Sequence, residues 1–201
     1  MAPLPETPED TIMIAVRNKL QALFTSVGMP ESHGMAHCLV VLGHMEKAIS
    51  AADPTVIKNL TSQKIFTLRL ASLLHEADDH KYFKNSTNVK DVLEDVLPGN
   101  DNKAIIISDV EEMISYVSAS ANGKSVPQAA RLDPTLLGFR FCDRLEAIGV
   151  VGAVRCYQYN RETTGPLMLD TTPCSGSEEE MCDQVTQARW IKYQQGATAP
   201  A

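Results

Sequence analysis

The sequence predicts an all-α protein, a single-domain bundle of about seven or eight helices. Apolar residues recur at helical spacing along most of the chain, and no segment alternates apolar and polar residues as a half-buried strand does. Helix start signals, in which Thr or Asp precedes Pro, stand before several of these segments. With 201 residues and 44% hydrophobic side chains, the chain can bury one core.

The first predicted helix starts after Thr7 and stops at Gly28, because Thr-Pro with an acid three residues on is a start signal and Gly a stop signal. The second runs from about Gly34 to Ser50. The helix from Ser62 to His75 is apolar on nearly every side, which predicts a central buried position. The remaining elements are a short helix at 53–60, helices at 88–97, 101–117, 133–159 and 178–194, a loop at 118–131 and a flexible tail at 196–201. We expect one domain over residues 1–201, with its core at about 8–160.

The charge balance narrows the range of partners. A net charge of −7 argues against a stable nucleic-acid partner and against a membrane surface, since both carry negative charge themselves. Five cysteines without a C-x-x-C pair indicate reduced thiols. No signal peptide and no apolar stretch long enough to cross a bilayer are recognised, so we expect a cytoplasmic protein. A homodimer stays an open alternative.

The strongest chemical signal is the segment from His75 to Lys81, where six of seven residues are ionisable. It follows directly on the predicted buried helix. Burying charged groups costs on the order of several kcal/mol unless they are paired or metal-bound. A divalent cation would resolve that cost.

Other ligands of the same kind stand elsewhere in the chain. His33 and His37 are four residues apart, a spacing that puts two side chains on one helix face. His75 and Glu76 end the buried helix, and Asp143 interrupts an apolar helix. Imidazole and carboxylate ligands together suit divalent ions of the first transition row. The sequence therefore predicts a metal site built from three distant segments.

These segments resemble, in the same order, three sequence blocks of the HD-domain metal-dependent phosphohydrolases, most closely the single-domain bacterial type. His33 to Val41 is similar to the block HDxxHxxxV, and residues 73–81 look like the block LLHD with its trailing acids. Residues 142–149 are similar to the block ADRLEAIG. The resemblance spans about residues 10–160, and it implies an all-helical fold with one divalent metal ion.

The resemblance implies that His37, His75, Glu76 and Asp143 are the metal ligands. The ion would be Mn²⁺, Co²⁺, Ni²⁺, Fe²⁺, Mg²⁺ or Zn²⁺. Glu76 is a departure, because the family carries Asp at this position, and Glu is one methylene longer. We expect metal binding to survive the replacement.

The resemblance further implies the roles of residues around the metal. Asp79, with Glu76, would be catalytic. From their positions beside the predicted ligands, we also expect His33 and Lys81 to bind the substrate phosphate. The expected reaction is hydrolysis of a small phosphorylated molecule, with nucleotides favoured, by metal-activated water. Loss of one phosphate and loss of pyrophosphate fit equally well. One alternative is a metal- or nucleotide-binding module whose catalysis is impaired by Glu76. Another, ranked lower because it needs more ligands, is oxidative cleavage with two irons.

Overall fold

A computed structural model describes residues 7–53, 60–84, 87–99, 102–117, 126–162 and 177. Every regular element in these ranges is helical, which confirms the predicted fold class. The α-helices of the described ranges are α1 (Pro8–Ser26), α2 (Met35–Ala51), α3 (Ser62–Leu74), α4 (Asn88–Val96), α5 (Lys103–Ser115), α6 (Gln128–Leu132), α7 (Gly138–Leu145) and α8 (Gly149–Glu162). A 3₁₀ helix (Pro134–Leu137) lies between α6 and α7. The predicted helix at 178–194, the tail at 196–201 and most of the short helix at 53–60 lie outside the described residues.

The chain divides into two compact units, Met1–Asp143 and Arg144–Ala201. The first unit contains α1 to α6, the 3₁₀ helix and most of α7. The assignment of residues 1–201 to one domain stays a prediction. Within the described ranges, no helix has both the length and the apolar character needed to cross a bilayer.

Helix α1 starts and stops where its local signals predict. The Thr7 hydroxyl accepts a hydrogen bond from the Asp10 backbone N–H at 3.2 Å, and the Asp10 carboxylate accepts one from the Thr7 N–H at 2.9 Å. This reciprocal pair is a capping box. At the other end Gly28 has φ of +60°, a left-handed conformation that favours glycine. Local side-chain chemistry thus determines both ends.

Helix α3 is central, as its apolar sequence predicts. Every residue from Phe66 to Leu74 except Arg69 is buried, and the helix packs mainly against α2 and α5. The buried Ser72 hydroxyl donates to the Leu68 carbonyl at 2.8 Å, so its burial leaves no unsatisfied donor. The end of α3 therefore delivers the residues that follow it into the interior of the first unit.

An ion pair ties α3 to α2. The Arg69 guanidinium donates to both carboxylate oxygens of Glu46, at 2.7 and 3.0 Å. These hydrogen bonds raise the pKa of Arg69. A two-point contact of this kind restricts the relative position of the two helices more than a single bond does.

Two sequence predictions about the later helices are wrong. The predicted loop at 118–131 includes part of α6, which starts after Pro127 and buries Ala130 against the core. The predicted single helix at 133–159 is instead the 3₁₀ helix, α7 and α8 in succession. Gly149, the first residue of α8, has a φ of +64°, a conformation that glycine adopts readily because it has no Cβ to oppose it.

Candidate metal centre

Three side chains from distant parts of the sequence meet inside the first unit. His37 lies in the first turn of α2, His75 directly follows α3, and Asp143 lies in α7. His37 Nε2 is 3.2 Å from His75 Nε2 and 3.2 Å from Asp143 Oδ1, and the last two atoms are 3.8 Å apart. A triangle with these sides has its centre about 2.0 Å from each corner, close to the usual length of a metal–ligand bond. These three residues could hold a metal ion.

Glu76, the residue after His75, lies beside the two histidines. Its Oε1 atom is 3.6 Å from Nε2 of His37 and 3.6 Å from Nε2 of His75. The structure thus brings Glu76 close to both histidines, although the group whose donor atoms all lie within 4.8 Å of one another in the described part of the chain consists of His37, His75 and Asp143. Two imidazole nitrogens and two carboxylate groups also suit a divalent transition-metal ion. We call His37, His75, Glu76 and Asp143 the four-residue cluster.

The cluster is more accessible on the side of Asp143 than elsewhere. The two histidine side chains are each 2% exposed and the Glu76 side chain 11%, whereas that of Asp143 is 24% exposed. Asp143 is therefore the most exposed member of the cluster.

The backbone of α3 orients the His75 ring. His75 Nδ1 lies 3.0 Å from the carbonyl oxygen of Ser72, an acceptor, so this nitrogen carries the proton. Ser72 holds one of the last four carbonyls of α3, which an ideal helix leaves without an internal partner. The bond leaves the lone pair of His75 Nε2 directed at the cluster, as in many metal-binding histidines.

His37 is held differently. Its Nδ1 atom is buried and has no hydrogen-bond partner among the described residues. The ring packs edge-on against His75, with centroids 5.1 Å apart, and Phe139 packs 6.2 Å from His75 on another side. The Nδ1 atom thus has a hydrogen bond to the backbone in His75 and none to the described residues in His37.

Asp78, in the turn after Glu76, has a structural role. Its carboxylate accepts hydrogen bonds from the backbone N–H groups of Asn88 at 2.8 Å and Val89 at 3.4 Å, at the start of α4. The Asn88 side chain in turn donates to the Ala77 carbonyl at 2.8 Å. Burial raises the pKa of Asp78, and the two backbone bonds oppose that shift. These contacts attach the turn that carries Glu76 to α4.

The predicted catalytic acid Asp79 contacts its own neighbours in sequence. Its carboxylate accepts a hydrogen bond from the Lys81 backbone N–H at 2.9 Å and lies 3.2 Å from the Lys81 ammonium. His80 Nδ1 is 3.6 Å from the same carboxylate. Asp79 is not a member of the group whose donor atoms lie within 4.8 Å of one another in the described part of the chain. Its catalytic role, and the phosphate-binding role of Lys81, stay predictions.

The predicted phosphate ligand His33 lies before α2. Its Nδ1 atom is 3.0 Å from the Ser32 hydroxyl, and its ring is 5.9 Å from the Tyr82 ring. Tyr82 is tied to the turn after Glu76, because its backbone N–H donates to the Asp79 carbonyl at 2.9 Å. His33 and Asp79 therefore belong to neighbouring segments, although His33 lies outside the group of Asp143 and the two buried histidines.

Sequence reasoning did not single out three contributors to this region: the Ser72 carbonyl, Phe139 and Tyr82. A signal for the first existed, because a histidine just after a helix can reach an unpaired carbonyl of the last turn. No local signal marked Phe139 or Tyr82, since aromatic residues at such spacings are ordinary core residues.

Comparisons with known proteins identify one relative. The chain is 30% identical, over 177 aligned residues, to an uncharacterized protein of Acanthamoeba polyphaga mimivirus; the match covers 82% of this chain and 68% of the viral protein. No family model matches the chain. No solved structure matches it at a significant level.

Proposed function

This chain belongs to the same family as that mimivirus protein, and we propose that it is a metal-dependent phosphohydrolase of small phosphorylated molecules, with nucleotides as the favoured class. The observation that carries the proposal is the convergence of His37 Nε2, His75 Nε2 and Asp143 Oδ1 within 3.8 Å of one another. The resemblance of three ordered sequence blocks to the HD-domain hydrolases supplies the reaction class.

The four-residue cluster would hold one divalent ion, of the group Mn²⁺, Co²⁺, Ni²⁺, Fe²⁺, Mg²⁺ and Zn²⁺. Such an ion, when bound, lowers the pKa of a coordinated water and offsets charge on a phosphate oxygen. The protein's own contribution is to keep the two imidazoles fixed and dry. The hydrogen bond from His75 to Ser72 and the packing of Phe139 serve that purpose.

Hydrolysis forms a bond between a water oxygen and phosphorus and breaks the bond between phosphorus and the bridging oxygen. One proton leaves the attacking water, and the departing oxygen gains one. We assign the first transfer to Asp79, whose carboxylate lies in the turn after Glu76 and is oriented by the Lys81 backbone N–H and ammonium. Glu76 takes part as a ligand beside it.

The substrate would enter on the side of Asp143, the most exposed member of the cluster. Lys81, whose side chain is 42% exposed, carries a cation that can turn from Asp79 to a phosphate group. His33, held by Ser32 and Tyr82, offers a second donor. Both residues lie on segments adjoining a ligand, before His37 and after Glu76.

Elemental analysis of the purified protein, joined to a phosphate-release screen, tests this function. The screen covers nucleotides and sugar phosphates with each candidate metal. We expect release that Asp143→Asn abolishes and that Asp79→Asn lowers by about 10²- to 10⁴-fold, the usual contribution of a general acid or base. Glu46→Gln, which alters an acid paired with Arg69 rather than with the cluster, is the matched control. Full activity of Asp143→Asn would refute the proposal.

A second candidate is a metal- or nucleotide-binding module without turnover. Two observations favour it: Glu76 stands where the resembling enzymes carry Asp, and the Asp79 carboxylate is occupied by Lys81 and His80. Nucleotide binding without phosphate release under any metal would support this candidate. In that case Glu76→Asp, which restores the shorter acid, is expected to restore turnover.

A further inference from the structure

Helix α4 takes its N-terminal cap from a distant part of the chain. The first N–H groups of a helix have no acceptor within it, and a Thr directly before the helix commonly provides one. Thr87 occupies that position, but its hydroxyl donates to the Asp91 carboxylate at 3.0 Å and accepts no capping bond. The acceptor is instead Asp78, which lies ten residues before Asn88. Its carboxylate takes the N–H groups of Asn88 at 2.8 Å and of Val89 at 3.4 Å.

Asn88 makes this connection reciprocal. Its backbone N–H donates to the Asp78 carboxylate and its side-chain amide donates to the Ala77 carbonyl, each at 2.8 Å. Ala77 is fully buried, so a lost partner would leave its carbonyl oxygen without solvent to replace the bond. The two residues held in this way, Ala77 and Asp78, are the two that separate Glu76 from Asp79.

Helix α4 is itself firmly attached to the first unit. Val89 and Leu93 are buried, and the helix packs against α1 and α5. Just after its last turn, the Leu97 carbonyl accepts a hydrogen bond from the Lys103 ammonium, at the start of α5, at 3.2 Å. The first turn of α4 can therefore serve as a fixed support for the turn that contacts it.

We propose that Asp78 and Asn88 are positioning residues, which fix Glu76 and Asp79 relative to each other by holding the two intervening residues against α4. The inference deepens the proposed function and rests on it for the roles of the two acids. Bonds within the turn are local: the Asp79 N–H donates to the Glu76 carbonyl at 3.2 Å, and the Tyr82 N–H donates to the Asp79 carbonyl at 2.9 Å. Local bonds shape the turn, whereas the bonds to Asn88 attach it to a second helix besides α3.

The expected effect is on the chemical step. A general base must lie within hydrogen-bond reach of the proton it takes, and a displacement of about 1 Å can cost about 10²-fold in rate. Asn88→Ala removes one of the three hydrogen bonds and keeps two, so we expect kcat to fall by about tenfold. KM should change by less than about twofold, because the loss concerns the transition state rather than substrate binding.

Steady-state phosphate release by the full chain, with the metal that supports the fastest release, tests the inference. Asn88→Asp keeps the shape of the side chain but cannot donate to Ala77, so its kcat should be as low as that of Asn88→Ala. Thr87→Ala is the matched control, because it removes a hydrogen bond at the same end of α4 and none to the turn. Its kcat should equal that of the wild type. Equal kcat in Thr87→Ala and Asn88→Ala, or full activity of Asn88→Asp, would overturn the inference.

A conservative replacement of Asp78 gives a second comparison. Asp78→Asn retains an oxygen that can accept a bond from α4, whereas Asp78→Ala retains none. We expect Asp78→Asn to keep a higher kcat than Asp78→Ala, with KM similar in both. Equal kcat in these two variants would contradict a positioning role for the carboxylate.

Hydrogen exchange tests the same connection without activity. Backbone amides over residues 77–83 should exchange at least about threefold faster in Asn88→Ala than in the wild type, and unchanged in Thr87→Ala. Unchanged exchange in Asn88→Ala would refute the inference whatever the activity.

The outcomes separate this inference from the proposed function. Phosphate release with the same kcat in the wild type and Asn88→Ala would retain the function and refute the positioning role. A wild type that releases no phosphate would refute the function. In that case the positioning of Glu76 is retained if Asn88→Ala shows faster exchange and weaker Zn²⁺ binding than Thr87→Ala, and it is refuted if Zn²⁺ binding is equal in the two variants.

Discussion

Replacing Asp143 by Asn should remove most of the thermal stabilisation that a metal ion confers. The substitution keeps the size of the side chain and removes the negative charge that faces His37 Nε2 at 3.2 Å. The ligands come from α2, the end of α3 and α7, and the two histidines are 38 residues apart. The unfolded chain therefore offers no preformed site, and binding stabilises only the folded state.

The size of the effect follows from mass action. At a free ion concentration about a thousandfold above Kd, binding stabilises the folded protein by about 4 kcal/mol. For a chain of this length that corresponds to a rise in Tm of about 8–16 °C. If losing the Asp143 carboxylate weakens binding about a hundredfold, about 1.4 kcal/mol remains, or about 3–6 °C.

The assay is thermal unfolding of chelated protein with and without Zn²⁺ or Co²⁺ at a fixed free concentration. Glu46→Gln is the matched control, because it removes a charge of the same sign outside the cluster. The Tm of this variant without metal should be lower than that of the wild type, but the rise in Tm on adding metal should be the same. The reasoning is refuted if Asp143→Asn keeps the full increase. It is equally refuted if exhaustive chelation and metal addition leave the wild-type Tm unchanged.

Three further predictions concern the fold. Leu70→Ala, at a fully buried position of α3, should lower the free energy of unfolding measured in urea by about 2–5 kcal/mol. Ile105→Ala, at a half-exposed position, should lower it much less, and equal losses would contradict the burial of α3. Gly149→Ala, at φ of +64°, should destabilise by about 1–2 kcal/mol. Gly43→Ala in α2, where an added Cβ meets no neighbour, should instead stabilise by about 0.5–1 kcal/mol, and the opposite order would contradict the backbone assignment. Hydrogen bonds from Thr7 lower the pKa of Asp10 below its ordinary 3.8, so its contribution to stability is present above that value and lost as pH falls through the lowered pKa. Unfolding curves measured over a range of pH should therefore show that Asp10→Asn loses less stability at acid pH than the wild type does. Equal losses in the two proteins would show that the capping box does not contribute to the acid sensitivity.

Features that depend on neighbours in sequence were predictable. The ends of α1 follow from the hydrogen bonds of Thr7 and Asp10 and from the conformational freedom of Gly28. The burial of α3 follows from its nearly uninterrupted apolar surface. His75 and Glu76 could be singled out because imidazole and carboxylate groups at the end of a buried helix need charge compensation, whereas the set of four candidate ligands was implied by the resemblance.

Features that depend on packing were not predictable. Apolar periodicity continues from 133 to 159, so nothing local distinguishes one helix from the 3₁₀ helix, α7 and α8. The break reflects a backbone conformation at Gly149 that the sequence permits without requiring.

The sequence by itself thus determined the helical class and the limits of the early helices, and it supplied candidate metal ligands. Only the tertiary structure decided that His37 and Asp143, far apart along the chain, lie 3.2 Å from each other and that Glu76 is equidistant from both imidazoles. The physical reason is that caps and apolar periodicity act over one or two helical turns. Distances between donor atoms on different helices depend instead on how whole helices pack, and every core side chain contributes to that packing.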